Sequence, residues 1–218
     1  MLKTIVLDLD GVILESVEVK TRAFCALFRA YPEHLERIIR LHRENGGVSR
    51  YEKFEIIYRD YLKQPLSDTE KSRLGRDFSL LVDEEMTACP YVPGALEFLA
   101  EQSVLVPLFV VSGTPEMELQ EIVKRRNLDR YLRGCFGSPR RKDVLLREIL
   151  SLEGIAASEV VFVGDSMTDF AASFSVGAHF VGRVKPGERN PFPESVRWIV
   201  SDLTELAGRW SSVLTCLS

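Results

Sequence analysis

Cysteine and histidine are both scarce in this 218-residue chain, and neither is grouped. The four cysteines are Cys25, Cys89, Cys135 and Cys216. None belongs to a C-x-x-C pair, so we expect separate thiols in a reducing compartment rather than a disulfide framework. The three histidines are His34, His42 and His179. Their scatter argues against a zinc site.

Long apolar runs and long basic runs are also absent. No stretch of about 18 consecutive apolar residues occurs, so we expect no transmembrane helix. The N-terminus lacks the apolar core of a signal peptide, which favours a cytoplasmic protein. Acidic residues outnumber basic ones by 32 to 28. Without a basic tract, nucleic acid is not an expected partner.

Strand-like and helix-like segments alternate over most of the chain. Apolar runs predict strands over 4–7, 106–111, 160–163, 179–184 and 196–200. Helical patterns occupy 95–102, 116–126, 142–152 and 169–175. This alternation predicts an α/β fold, a Rossmann-like parallel sheet with helices on both faces.

One long segment interrupts the alternation after the first strand. Residues 15–89 are helical in pattern and charged, with breaks near 46–49 and 64–68. We therefore expect a helical cap domain over 15–89. Residues 1–14 and 90–218 would together form the catalytic core.

Polar residues follow three of the predicted strands. Asp8 and Asp10 follow the first strand, Ser112 the second and Asp165 the third, with Asp169 close behind. Ligands of open parallel sheets bind beyond the carboxyl ends of the strands, so these side chains should surround one crevice.

Such a cluster suits phosphoryl transfer. Neighbouring carboxylates repel one another unless a hard cation such as Mg²⁺ lies between them. One carboxylate can then attack phosphorus, while a second protonates the leaving oxygen and activates water. Ser112 and the amides of Gly113 and Thr114 can donate hydrogen bonds to the phosphoryl group, and Lys142 can supply positive charge.

At these residues the chain resembles the haloacid dehalogenase superfamily, over nearly its whole length. The four similar motifs are Asp8-Leu9-Asp10-Gly11-Val12, Val110-Val111-Ser112-Gly113-Thr114, Lys142, and Gly164-Asp165-Ser166-Met167-Thr168-Asp169. The insert resembles the helical cap of the phosphoglycolate phosphatase and β-phosphoglucomutase branch. Four motifs in order are a specific signal.

The resemblance implies catalytic roles. Asp8 would be the nucleophile and a magnesium ligand. Asp10 would be the general acid and base, with its backbone carbonyl on the metal. Ser112 would bind the phosphoryl group. Lys142 would hold the charges of the nucleophile and the phosphate together.

The resemblance also implies metal and cap contacts. Asp165 would bind magnesium, and Asp169 would bind it directly or support the ligands. Residues 47–50 look like a cap loop whose arginine meets a substrate phosphate, which makes Arg50 a candidate substrate contact. Many relatives have aspartate in place of Glu15 and histidine in place of Lys20. The missing histidine counts against mutase activity.

Several of these residues have simpler structural interpretations. Ser112 could cap the following helix, and Asp169 could be an acid favoured at a helix start. Arg140 or Arg141 could act in place of Lys142. Other basic residues of the insert are expected mainly on the surface, as Arg50 also could be. These are Lys20, Arg22, Arg43 and Lys53.

The sequence thus predicts hydrolysis of a small phosphate monoester through an aspartyl phosphate. A sugar phosphomutase using the same nucleophile is the first alternative, and a non-catalytic phosphate-binding regulatory protein is the second. The partner would be a small phosphorylated metabolite, with no nucleic acid and no membrane. A monomer and a dimer fit the sequence equally.

Overall fold

A six-stranded parallel sheet forms the centre of the computed structural model, which describes residues 1–217. The strands are β1 (Thr4–Leu7), β2 (Leu108–Pro115), β3 (Gly134–Ser138), β4 (Val160–Gly164), β5 (His179–Arg183) and β6 (Trp198–Val200). Their order is β3-β2-β1-β4-β5-β6. In this order β2 and β3 lie on one side of β1, whereas β4, β5 and β6 lie on the other side. The direction of the connections therefore reverses at β1, and a crevice opens at the carboxyl ends of β1 and β4.

Five helices of the core cover the two faces of the sheet. They are α5 (Ala95–Ser103), α6 (Glu116–Arg125), α7 (Lys142–Glu153), α8 (Met167–Val176) and α9 (Leu203–Leu217). Successive side chains of β1 point to opposite faces. Val6 joins the apolar cluster under α7 and α8, whereas Ile5 and Leu7 join the cluster that includes α5, α6 and α9. The sheet is therefore buried on both sides, as a parallel sheet requires.

Helices also fill the segment between β1 and α5. They are α1 (Val17–Leu27), α2 (Leu35–Glu44), α3 (Arg50–Ile56), a π-helical turn (Ile57–Leu62) and α4 (Asp68–Ala88). Phe24, Phe28, Phe54 and Phe78 form their centre, with ring centroids 5.0–6.4 Å apart. These contacts support our proposal that residues 15–89 form a cap domain on a core of 1–14 and 90–218.

The sequence-based boundaries hold for β1 and, within one residue, for β4 and β5. Strand β6 begins two residues later than expected, and β2 differs at both ends. Strand β2 continues to Pro115, with a shift in its register against β3 after Val111. Strand β3 and helix α9 are not predicted by the sequence patterns. In residues 1–217, no helix combines the length and apolar character needed to span a membrane.

Candidate active site

The side chain of Asp8 lies at the carboxyl end of β1 and is almost completely buried. Its Oδ2 atom accepts a hydrogen bond of 2.6 Å from Lys142 Nζ, and Lys142 also donates to Asp169 Oδ1 at 2.6 Å. Burial raises the pKa of Asp8 to about 7, although the Lys142 ammonium opposes this. Burial alone would lower the pKa of Lys142, but the carboxylates of Asp169 and Asp8 hold it above its usual range. Lys142 is therefore a fixed positive charge beside Asp8.

Three carboxylates meet in the crevice between β1 and β4. Oxygens of Asp8, Asp165 and Asp169 lie within 4.8 Å of one another. Lys142 pairs with two of them, but within residues 1–217 the Asp165 carboxylate has no hydrogen-bond or ion-pair partner. Burial and the charges of Asp8 and Asp169 raise its pKa well above the usual value. An oxygen-only set with uncompensated negative charge fits a hard divalent cation such as Mg²⁺.

Glycine at position 11 is what allows Asp165 to approach. Gly11 has a φ of +73°, and a Cβ atom there would lie 2.0 Å from Asp165 Oδ2. A side chain at this position would therefore be strained and would also occupy the place of the carboxylate. The absence of a side chain at Gly11 thus allows the segments that follow β1 and β4 to lie in contact.

Asp10 has surroundings different from those of the three clustered carboxylates. Its oxygens accept hydrogen bonds from Ser16 Oγ at 2.6 Å and from Lys20 Nζ at 2.5 Å. Burial opposes ionisation, but Lys20 and Ser16 outweigh it and lower the pKa of Asp10 to about 2. The Asp10 carboxylate is thus engaged by Lys20 and Ser16 and is not one of the three clustered carboxylates.

The second motif surrounds Asp10 with hydroxyl groups. Ser112 Oγ and Thr114 Oγ1 each lie 3.3 Å from Asp10 Oδ2, and Thr114 also accepts a hydrogen bond of 2.7 Å from Lys20. Ser112 lies in β2, and Pro115 is the residue before α6. Ser112 therefore does not cap that helix, and the capping interpretation is wrong.

Contacts also distinguish Lys142 from its neighbours and place Asp169 beside it. Arg140 and Arg141 pair with acids outside the site, whereas Lys142 reaches Asp8. Asp169 lies in the first turn of α8, as the structural interpretation expects, and its role toward a metal remains a prediction. It accepts hydrogen bonds from the backbone and hydroxyl of Ser166 at the start of α8, and it also contacts Lys142.

The cap loop over residues 46–49 rests directly on the core. Thr168 Oγ1 donates a hydrogen bond of 2.5 Å to the Gly46 carbonyl, and the hydroxyls of Ser49 and Ser138 lie 3.4 Å apart. A Cβ atom at Gly113 would lie 2.3 Å from the Gly47 carbonyl oxygen. The expected substrate-binding amides of the second motif are thus covered by the cap, and the structure is a closed one.

The sequence suggested Arg50 as a contact of a substrate phosphate, and in the structure its guanidinium contacts groups of the protein itself. Its guanidinium is buried and lies 2.5 Å from Glu118 on α6, 2.9 Å from Ser79 and over the Phe78 ring. It is not a solvated surface residue. It lines the cavity between cap and core, but its charge is neutralised by Glu118.

Two lysines expected on the surface lie inside the site. Lys20 binds Asp10, and Lys53 is 3% exposed and hydrogen-bonded to His42. Both line a cavity of about 540 Å³ that also reaches Thr114 and Asp165. No sequence pattern linked Lys20 to Asp10, because the two residues are ten positions apart and come into contact only in the folded chain. For Lys53, the aromatic residues that flank it at helical spacing are a signal from which a buried face could have been inferred.

Comparisons with known proteins identify the family of the chain. The sequence matches the haloacid dehalogenase-like hydrolases over residues 2–177, and the chain therefore belongs to that family. It is 26% identical over 212 residues to a phosphoglycolate phosphatase of Aliivibrio fischeri, covering 92% of each chain. It is 29% identical over 125 residues to a phosphoglycolate phosphatase of Pseudomonas fluorescens, covering 54% of this chain and 45% of the relative.

Solved structures share the fold at low identity. A hydrolase from Pseudomonas syringae superposes with a TM-score of 0.80 at 17% identity, covering 97% of this chain and 99% of that one. CbbY from Rhodobacter sphaeroides, in complex with xylulose-(1,5)bisphosphate, gives a TM-score of 0.75 at 16% identity, covering 94% and 96%. The α/β architecture with its helical insertion is therefore that of this family.

Proposed function

We propose that this protein is a magnesium-dependent phosphatase that hydrolyses a small phosphate monoester through an aspartyl phosphate on Asp8. One observation carries the proposal. Asp8 is buried at a strand end, paired with Lys142, and adjoins the carboxylates of Asp165 and Asp169. The names of the matching relatives, phosphoglycolate phosphatases, support the reaction class.

In the first half of the reaction, a carboxylate oxygen of Asp8 attacks phosphorus and the bond to the ester oxygen breaks. The leaving oxygen takes a proton from Asp10. Lys142, with Ser112 and the amides of Gly113 and Thr114, stabilises the charge on the phosphoryl oxygens. Asp8, Asp165, Asp169 and the Asp10 carbonyl would hold Mg²⁺, which when bound offsets the charge of the carboxylates and the phosphoryl group.

In the second half, water attacks the aspartyl phosphate and gives its proton to Asp10, so that Asp8 and inorganic phosphate are released. The low pKa of Asp10 keeps the side chain ionised and able to accept a proton, but it also makes the carboxylate a weak base. The same ion pair with Lys20 opposes the donation of a proton in the first half. Proton delivery to the leaving group is thus the step that Lys20 hinders.

The proposal is tested by phosphate release from a panel of phosphate monoesters with millimolar MgCl₂. We expect turnover by the wild type and a loss of at least ~1,000-fold in Asp8→Asn, because the amide is a poor nucleophile. Circular dichroism of the variant should match the wild type. Wild-type rates in Asp8→Asn would contradict the mechanism, and conversion of a sugar phosphate with no phosphate released would favour the mutase.

A further inference from the structure

Lys53 is a buried cation without an anionic partner. Its side chain lies on α3, with Nζ 3.1 Å from His42 Nδ1 and 3.4 Å from the His42 carbonyl oxygen. Among residues 1–217, no carboxylate forms an ion pair with Lys53. The other deeply buried cations of the cavity region, Lys142, Arg50 and Arg183, all have such partners.

His42 does not supply the missing charge. Burial, together with the nearby ammonium groups of Lys53 and Lys20, lowers the pKa of His42 to about 3, so the ring is neutral. Its Nδ1 can accept a hydrogen bond from Lys53, which fixes the direction of the ammonium group. Burial, and then Lys20, lower the pKa of Lys53 to about 7. A buried ammonium in this setting is costly unless an anion joins it.

The two residues face the same cavity as the reacting groups. Lys53 and His42 line it from the cap, and Asp10, Thr114 and Asp165 line it from the core. Phe24, in contact with His42, forms part of the wall. The cavity, at about 540 Å³, is larger than a single phosphoryl group needs.

Arg50 and Lys53 are three residues apart on α3 and lie on one face of the helix. Arg50 is neutralised by Glu118, so it has little charge left for a ligand. Lys53 is not neutralised. The cap therefore presents its free positive charge through Lys53.

We propose that Lys53, oriented by His42, binds a second anionic group of the substrate, a carboxylate or a phosphate, within this cavity. This inference rests on the proposed function and narrows it to phosphate esters with an anionic tail. Lys53 acts here as a specificity residue and takes no part in the bond changes.

The test compares esters that differ in the tail alone. Phosphoglycolate carries a carboxylate where ethyl phosphate carries a methyl group, and ethane-1,2-diol bisphosphate carries a phosphate. We expect the ratio of kcat/KM for an anionic ester to that for ethyl phosphate to fall roughly 10- to 100-fold in Lys53→Met. The ester with the larger fall identifies the anion.

Lys71→Met is the matched control, because Lys71 is a cap lysine that already pairs with Glu55. Its ratio should equal that of the wild type. An unchanged ratio in Lys53→Met, or a wild-type ratio near one for both anionic esters, would overturn the subsite.

Binding separates the subsite from the reaction. Calorimetry of Asp8→Asn with phosphoglycolate and ethyl phosphate should give tighter binding of phosphoglycolate, and adding Lys53→Met should abolish the difference. If no ester is hydrolysed by the wild type but this difference is observed, the proposed function fails and the subsite stands. Equal binding of the two esters would overturn the subsite.

Discussion

Two carboxylates of the site each contact a lysine, but their pKa values are shifted in opposite directions. Lys142 contacts Asp8, yet burial dominates and the pKa of Asp8 rises to about 7. Lys20 contacts Asp10, and there the ion pair dominates and the pKa falls to about 2. The difference follows from surroundings, because Asp8 also faces the charges of Asp169 and Asp10, whereas Asp10 accepts further hydrogen bonds.

Replacing Lys20 should shift the pH dependence of the reaction. In Lys20→Met, the burial of Asp10 remains while its strongest counter-charge is lost, so the pKa of Asp10 should rise. We expect the acidic limb of the rate of aspartyl-phosphate hydrolysis, in which ionised Asp10 is the base, to move up by about one pH unit or more. Profiles from acidic to mildly alkaline pH measure this, with Lys71→Met as control. A limb that stays in place would refute the role given to Lys20.

Lys53 makes the stability of the protein depend on pH. Its pKa is about 7 in the folded chain, below the unfolded value of 10.5. Between these two values the unfolded chain binds more protons, so the free energy of unfolding rises with pH. The cost of burying the ammonium is thus largest at and below pH 7, and it disappears toward pH 10.5.

Lys53→Met should remove this dependence. We expect the variant to be more stable than the wild type at neutral pH by on the order of 1–3 kcal/mol, because an unpaired buried charge is replaced by an apolar chain of similar length. The advantage should shrink at a pH of about 9.5. Urea denaturation at both values measures it, and a constant difference would contradict the assigned pKa of Lys53.

At the scale of elements, α3 of the cap is joined to α6 of the core. Arg50 on α3 and Ser79 on α4 both contact Glu118 on α6, at 2.5 and 2.8 Å. Close by, Arg125 of α6 pairs with Asp83 of α4 at 2.9 Å. Helix α6 therefore holds the cap closed through a buried and an exposed ion pair, and the buried one should contribute more.

Glu118→Gln should loosen the closed cap. Arg50 would stay buried opposite a neutral amide, at a cost of about 1–3 kcal/mol to the closed form. We expect faster hydrogen exchange in residues 46–56 and a lower kcat/KM.

The control is Glu121→Gln on the same helix, because Glu121 forms only an exposed pair with Arg125. It should leave exchange over residues 46–56 unchanged. Equal exchange in the two variants would show that the Arg50–Glu118 pair does not hold the cap.

At the scale of the whole molecule, the clustered carboxylates of Asp8, Asp165 and Asp169 repel one another at the carboxyl ends of the central strands. Burial and neighbouring carboxylates raise the pKa of both Asp8 and Asp165. The folded chain without a cation therefore binds protons that the unfolded chain releases, and loses stability as the pH rises from about 4 toward 7.

Magnesium should reverse this loss. Slightly above neutral pH, we expect a saturating concentration of MgCl₂ to raise the wild-type Tm by about 5–10 °C, as for a ligand at roughly 100 times its Kd. Asp165→Asn should have a higher Tm than the wild type without metal and a smaller response to it. Differential scanning calorimetry measures both, and an equal response in the variant would remove Asp165 from the metal site.

The sequence by itself determined the strands and groups whose signals are local. Strand β1 and most of β4 are continuous apolar runs, and an aspartate follows each strand directly. The positions of Asp8 and Asp165 could therefore be predicted from the direction of the two strands alone. Lys142 was identifiable because it begins a helix at the expected place. In these cases the neighbours that decide the structure are also neighbours in the chain.

Tertiary structure alone decided the features formed by distant segments. The short glycine-containing strand β3 has no apolar run and exists because β2 offers it an edge. Helix α9 had a signal that was missed, the spacing of Leu203, Leu206, Trp210 and Val213, all of which are buried. No sequence pattern indicated that Arg50 pairs with Glu118, or that Lys53 has no acidic partner among the described residues. Whether a buried charge meets an acid depends on which helices pack together, and no short window of sequence contains that information.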